Sequence, residues 1–255
     1  MKLKAIVLLS TLVLSGAVLA QAKAPEPDYT LSYNIGGVTE YRYRGISQSG
    51  KKPALQGGID FAHKSGFYLG TWASTIRWIK DSSVGGATAK GPVELDVYGG
   101  YKGAINDTFS YDVGGLEYWY VNNTYKNITG TNANTFELYG ALTAGPATLK
   151  YSHATTNLFG TPNSKGSGYL DLSANFDLGN GLSLVPHVGA QRIKNLGTYH
   201  DASLTLAKDW EGTVLSAAVV TTDWSHKFGF NYTLPETGNK DLAGTNLVLG
   251  IKKNF

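Results

Sequence analysis

Apolar and polar residues alternate along most of this chain. Between Ile35 and Ser74 it reads IGGVTEYRYRGISQSGKKPALQGGIDFAHKSGFYLGTWAS. Successive side chains of a strand point to opposite faces. Ile35, Tyr41 and Tyr43 therefore share one face, and Glu40, Arg42 and Arg44 the other. Leu55, Ile59 and Phe61 repeat the pattern against Gln56 and Asp60. Further on, Val93, Leu95, Val97 and Tyr101 oppose Glu94, Asp96, Tyr98 and Lys102. Leu170, Leu172, Ala174, Phe176 and Leu178 oppose Asp171, Ser173, Asn175 and Asp177. No stretch carries a helical period. The pattern predicts about twelve strands, with ten or fourteen left open, near 29–44, 54–63, 67–80, 93–104, 109–121, 136–144, 147–157, 169–178, 182–193, 202–209, 213–222 and 245–255. At Gly114-Gly115 the apolar face switches from Val113 to Leu116, which predicts a bulge.

The connections between these strands alternate in length. Short ones fall at 64–66, 105–108, 145–146, 179–181 and 210–212. Long ones fall at 45–53, 81–92, 122–135, 158–168, 194–201 and 223–244. A sandwich has no reason to gather its long loops at one end, whereas an outer-membrane barrel does, with short periplasmic turns and long extracellular loops. The fold class expected is all-β: a transmembrane antiparallel up-and-down β-barrel spanning 29–255. Its apolar face would meet lipid, so a mean hydropathy of −0.16 is no obstacle.

The N-terminus predicts export. Lys2 and Lys4 precede an apolar run from Ala5 to Ala20, with a cleavage site after Ala20 or after Ala22. Residues 1–20 read as a signal peptide and 21–28 as a short periplasmic segment. Without Lys2 and Lys4, 20 Lys and Arg face 19 Asp and Glu, a net charge of +1 rather than +3. No charge run suggests a nucleic-acid surface. The chain has no Cys, which removes disulfides, thiolate nucleophiles and thiolate metal sites.

Aromatic residues are expected to form two girdles at the membrane interfaces. Tyr29, Phe67, Tyr68, Phe109, Trp210 and Phe255 would mark the periplasmic rim. Tyr43, Trp78, Tyr118, Trp119, Tyr120, Tyr169 and Trp224 would mark the outer one. The chain ends on Phe255, and counting back by twos gives Lys253, Ile251, Leu249 and Leu247. This is similar to the signature that such barrels present to their assembly machinery, although Lys253 departs from it.

The stretch EYRYRGISQSGKKPALQGGIDFAHKSGFYLGTWAS resembles the TorF family of proteobacterial porins. The likeness continues through VELDVYGGYKGAINDTFSYDVGGLEYWY and, more loosely, NLGTYHDASLTLAKDWEG. The resemblance implies an outer-membrane barrel with a channel-like role and implies little about the solute.

With the apolar face toward lipid, Glu40, Arg42, Arg44, Asp60, Arg77, Glu94, Asp96, Lys102 and Glu137 would line the lumen, either neutralising one another or selecting solutes. Near the outer mouth Arg42, Arg44, Lys51, Lys52, Arg77 and Lys80 outnumber Glu40 and Asp81, which predicts a mild anion preference or contacts with lipopolysaccharide phosphates. The expected partners are outer-membrane lipid, lipopolysaccharide, the barrel-assembly machinery and a small hydrophilic solute. The histidines His63, His153, His187, His200 and His226 read as solvated or rim residues. They show no metal-ligand spacing and no pairing with a serine, so neither a catalytic residue, a metal site nor a cofactor is predicted. Loop 223–244 carries Phe228, Phe230 and Tyr232. It would either fold inward as a constriction or extend the last two strands. Lipid cleavage at the outer surface and a structural or adhesive barrel are the rival readings.

Overall fold

Each alternating run pairs antiparallel with the next, and the last pairs with the first. The computed structural model describes residues 27–82, 86–229, 232–238 and 240–255. Its barrel strands are β1 (Tyr29–Val38), β2 (Ala54–His63), β3 (Phe67–Thr75), β4 (Val93–Ala104), β5 (Phe109–Tyr120) and β6 (Thr135–Ala144). They continue as β7 (Ala147–Ala154), β8 (Gly168–Ala174 and Phe176–Gly179), β9 (Leu182–Ile193), β10 (Gly197–Trp210), β11 (Thr213–Thr222) and β12 (Asn246–Asn254). Both pieces of β8 pair with β9, so the wall is a closed barrel of twelve strands. Closure matters because a strand edge in hydrocarbon would leave backbone groups unsatisfied. The expected signal peptide lies outside the described residues.

The outer face carries the apolar set, among it Leu31, Ile35, Leu55, Leu69, Val97, Leu142, Leu170, Val188, Leu204, Leu215 and Leu249, all exposed. The seam ladder between β1 and β12 joins Asn34–Val38 to Gly250–Asn254, extended by reciprocal backbone hydrogen bonds between Tyr33 and Phe255. The neighbouring β1–β2 ladder pairs the whole of Tyr29–Val38.

Several expectations change at the long-loop end. The first strand stops at Val38 instead of 44, and residues 41–49 turn into the barrel, where Arg42–Tyr43 and Ile46–Ser47 form a small inner hairpin. The third strand stops at Thr75 and is followed by the helical turn α1 (Trp78–Asp81). The 194–201 connection is not long. The β9–β10 ladder runs on to Ile193 and Gly197, and Asn195, at φ 64°, closes a tight turn. Loop 223–245 does not extend its strands. It folds inward, with α2 (Trp224–Phe228) buried at Trp224, and Phe228 and Tyr232 packed on that indole. Phe230 lies outside the described residues.

Two further corrections follow from what fills the interior. Tyr43, Trp78, Tyr118, Tyr120, Tyr169 and Trp224 do not form an outer girdle. They lie inside the barrel and largely buried, and only Trp119 of that set faces outward. The inward-folded loops supply an interior core for them. At the other rim Tyr29, Phe67, Phe109, Trp210 and Phe255 are exposed as expected, whereas Tyr68 points inward and bonds Asp112. Gly114-Gly115 makes no bulge, since the β4–β5 register passes through it unbroken. Leu116 therefore points inward, against the buried core at Tyr41 and Tyr118, and Glu117 takes the outward face. The glycines serve instead as space. Gly100 pairs with Tyr68, Gly70 with Tyr98 and Gly114 with Tyr139, and a Cβ at any of the three would strike that tyrosine's side chain.

Candidate functional site: a hairpin across the lumen

The inner hairpin turns at Arg44-Gly45, with φ of 47° and 79°. Two positive φ values make the tight turn whose twist suits a hairpin. At the second position glycine is required, because a Cβ there would come within 2.8 Å of the Asp201 Cβ. Arginine is uncommon in this conformation, and its side-chain partners hold it there.

Those partners span the barrel. The Arg44 guanidinium donates to Glu137 Oε2 on β6 at 2.7 Å and to Gln191 Oε1 on β9 at 2.5 Å. It lies 4.3 Å from the Tyr169 ring centroid and 4.8 Å from that of Tyr43. The Tyr199 hydroxyl on β10 donates to the Arg44 carbonyl at 3.1 Å. Tyr118 donates to Glu137 at 3.3 Å, and its hydroxyl also meets that of Tyr43. One arm of the guanidinium fork thus meets a carboxylate and the other a neutral amide, and the first is a strong charge-assisted contact.

The rest of the hairpin is fixed similarly. The Tyr41 hydroxyl donates to Glu94 Oε1 at 2.7 Å. Arg42 lies 3.1 Å from Glu40 and donates to the carbonyls of Gly45 at 2.8 Å and Gly244 at 2.7 Å. Asn246 of β12 donates to Glu40 at 2.7 Å. The Ser47 N–H donates to the Leu242 carbonyl at 2.9 Å, so loop 223–245, which leads into β12 beside β1, clasps the hairpin.

The hairpin divides the interior. On its long-loop side lies a cavity of about 260 Å³ bounded by Gln48, Trp78, Tyr120, Phe159, Trp224 and Tyr232. On the short-turn side lies one of about 510 Å³, bounded by Trp72, Asp96, Lys150, Asp171, His187 and Asp201. Tyr43 and Arg44 border both. In the larger cavity His187 Nε2 stands 2.7 Å from Asp171, and Tyr169 donates to Asp201 at 3.0 Å. Farther toward the short turns, Tyr98 donates to Asp60 at 2.5 Å and Tyr68 to Asp112 at 2.6 Å. The Lys150 and Lys102 ammonium groups lie 4.0 Å and 5.8 Å from the ring centroids of Tyr139 and Tyr68.

Of the residues expected in the lumen, Asp60, Glu94, Asp96, Lys102 and Glu137 reach it from the wall. Glu40, Arg42 and Arg44 reach it from the segment that leaves β1, not from a strand. Arg77 does neither. It precedes α1 in the long loop, paired with Asp81 at 3.1 Å beside Gly50. Sequence reasoning missed Tyr118, Tyr169, Asp171, His187, Gln191 and Asp201, although each sits on the inward face of its strand. His187 in particular belongs to the lumen and not to a rim. Ser225 and His226 lie in α2 rather than in a strand. Among the described residues no group of three His, Asp or Glu side chains converges as a metal site would require. The arrangement is a polar interior divided by a braced arginine.

Comparison with known proteins agrees on the architecture. The solved KdgM porin matches with a TM-score of 0.56 at 11% identity, over 88% of this chain and 99% of that one. The NanC porin matches with a TM-score of 0.51 at 10% identity, over 89% and 99%. At such identity the likeness speaks for the fold alone. No curated protein matches this sequence. A family profile matches residues 21–255, and the chain belongs to that family, Gcw_chp, described as bacterial proteins of unknown function.

Proposed function

We propose that this barrel is an outer-membrane channel for passive diffusion of small hydrophilic solutes, and that the Arg44 hairpin is its constriction. The observation that carries this reading is the polar lumen divided at Arg44 into two cavities. The export signal expected at 1–20 and the TorF-like string from Glu40 to Ser74 support the location. In that location the short turns would face the periplasm and the long loops the outside. Asp60, Glu94, Asp96, Lys102 and Glu137, with Glu40, Arg42 and Arg44, line the path, and the bracing of Arg44 sets its width. The C-terminal residues Leu247, Leu249, Ile251 and Phe255 present the assembly signal.

Selectivity is proposed to be mild and toward anions. Arg42, Arg44 and Arg77 already face Glu40, Glu137 and Asp81. The bias at the mouth therefore falls mainly to Lys51 and Lys52. A catalytic role is not proposed. Asp223 lies 2.8 Å from His200 Nδ1, but among the described residues no hydroxyl hydrogen-bonds the other ring nitrogen.

A structural or adhesive barrel is the second reading, favoured by the bracing of Arg44 from Glu137 and Gln191. Conductance of single refolded molecules in a planar bilayer under a salt gradient separates the two. Discrete steps with an anion-side reversal potential support the channel, and inserted but silent protein supports the plug.

A further inference from the structure

The outer wall carries a groove of about 640 Å³ across β7 to β11. Leu149, Leu172, Val188 and Ala202 follow one another across the strands in one row. Leu170, Ala190 and His200 form the next row toward the long loops. Ala190 and Ala202 leave the hollow, and the leucines and the valine flank it. An apolar hollow facing lipid has little attraction of its own, because acyl chains meet leucine everywhere on such a wall. Its specificity must come from its polar end.

That end is basic. Arg192 stands two residues beyond Ala190 on the same outward face. Across from it is Gly168, and across from Gly168 on β7 is His153. Gly168 leaves a gap between them, and the Tyr151 hydroxyl lies over it. His200 and His226 border the groove's end beside Asp223, whose carboxylate lies 2.8 Å from His200 and 4.0 Å from Lys227. Arg192 has no ion-pair partner among the described residues. Guanidinium, phenol and imidazole donors thus gather at the level where a lipid phosphate would sit.

We infer that this wall is a seat for a phosphorylated, multiply acylated glycolipid of the outer leaflet, with one acyl chain in the Ala190–Ala202 hollow and a phosphate at Arg192. The inference rests on the outer-membrane location proposed above, and it is independent of whether the lumen conducts.

Native mass spectrometry of the detergent-purified protein, titrated with bis-phosphorylated lipid A and with its dephosphorylated form, tests it. The wild type is expected to retain one phosphorylated lipid and to bind the dephosphorylated form about tenfold more weakly, as loss of a charge-assisted contact implies. Arg192→Gln should weaken only the phosphorylated lipid, and Ala190→Trp should weaken both. Heat-modifiable gel mobility reports folding, and Ala202→Phe replaces Ala190→Trp should that variant fail to fold. Equal binding of the two lipids by the wild type overturns the seat, as do folded variants that bind as the wild type does. A wild type that retains lipid yet stays silent in a bilayer would remove the channel reading and leave the seat intact.

Discussion

Arg44 and Glu137 meet at 2.7 Å although 93 residues separate them, and their side chains are only 5% and 2% exposed. One comes from a turn that has left the wall, and the other from a strand on a different part of the barrel. The pair is a brace across the interior. Removing one member leaves the other charge buried without compensation, which costs about 3–5 kcal/mol.

Glu137→Ala should therefore free the hairpin, while the wall, whose ladders do not include it, stays closed. Trypsin is expected to cut at Arg42 or Arg44 in this variant and not in the wild type, with heat-modifiable mobility retained. Arg44→Ala removes both the charge and the bulk, and single-channel conductance should rise.

Selectivity is expected to respond at the mouth. Lys51→Glu with Lys52→Glu should move the reversal potential toward cations and leave the conductance nearly unchanged, because neither residue belongs to the brace. An unmoved potential would assign selection to the lumen carboxylates and lysines.

The seam should be sensitive to a single methyl. A Cβ on Gly36 would strike the Ile251 carbonyl of β12. Overpacking of this kind costs about 1–3 kcal/mol. Gly36→Ala is expected to lower the temperature at which the compact gel band disappears, and Gly130→Ala, where a Cβ meets nothing within 4 Å, should lower it less.

Acid should loosen loop 223–245. Burial pushes the Asp223 carboxyl up, but hydrogen bonds from the His200 backbone and ring, and the charges of His200 and Lys227, outweigh it and hold the group below the usual carboxylate range. A depressed folded value stabilises the loop fully above the ordinary value of about 3.9 and less as the pH falls through the folded one. Protease cleavage within 227–240 should rise below about pH 4 in the wild type. In Asp223→Asn it should be raised already at neutral pH and change little with acid.

The wall was legible because alternation runs the full length of its ladders. The runs 54–63, 93–104, 182–193 and 213–222 coincide with β2, β4, β9 and β11. The brace was hidden for the same reason. Tyr41, Arg42, Tyr43 and Arg44 continue the alternation of β1 past Val38, so period alone extends the strand. What ends it is tertiary: Glu94, Glu137 and Gln191 draw the segment inward from strands far away in the sequence. The aromatic residues misled in a related way. A tyrosine near a strand end suits a membrane interface, and it equally suits an interior filled by loops. Only inward-folded loops decide between the two.

The seam between β1 and β12 has a consequence for biogenesis. Every other ladder of the wall joins segments adjacent in sequence, and such local pairings form early. The ring alone waits for the C-terminal segment. Until it arrives the nascent sheet has two bare margins, each a template for pairing with a stranger. The molecule behaves as a bracelet whose clasp is its last-made part. The proposed outer-membrane location would have the chain cross water with both margins bare, and pairing of residues 246–254 with β1 is the step that removes them together.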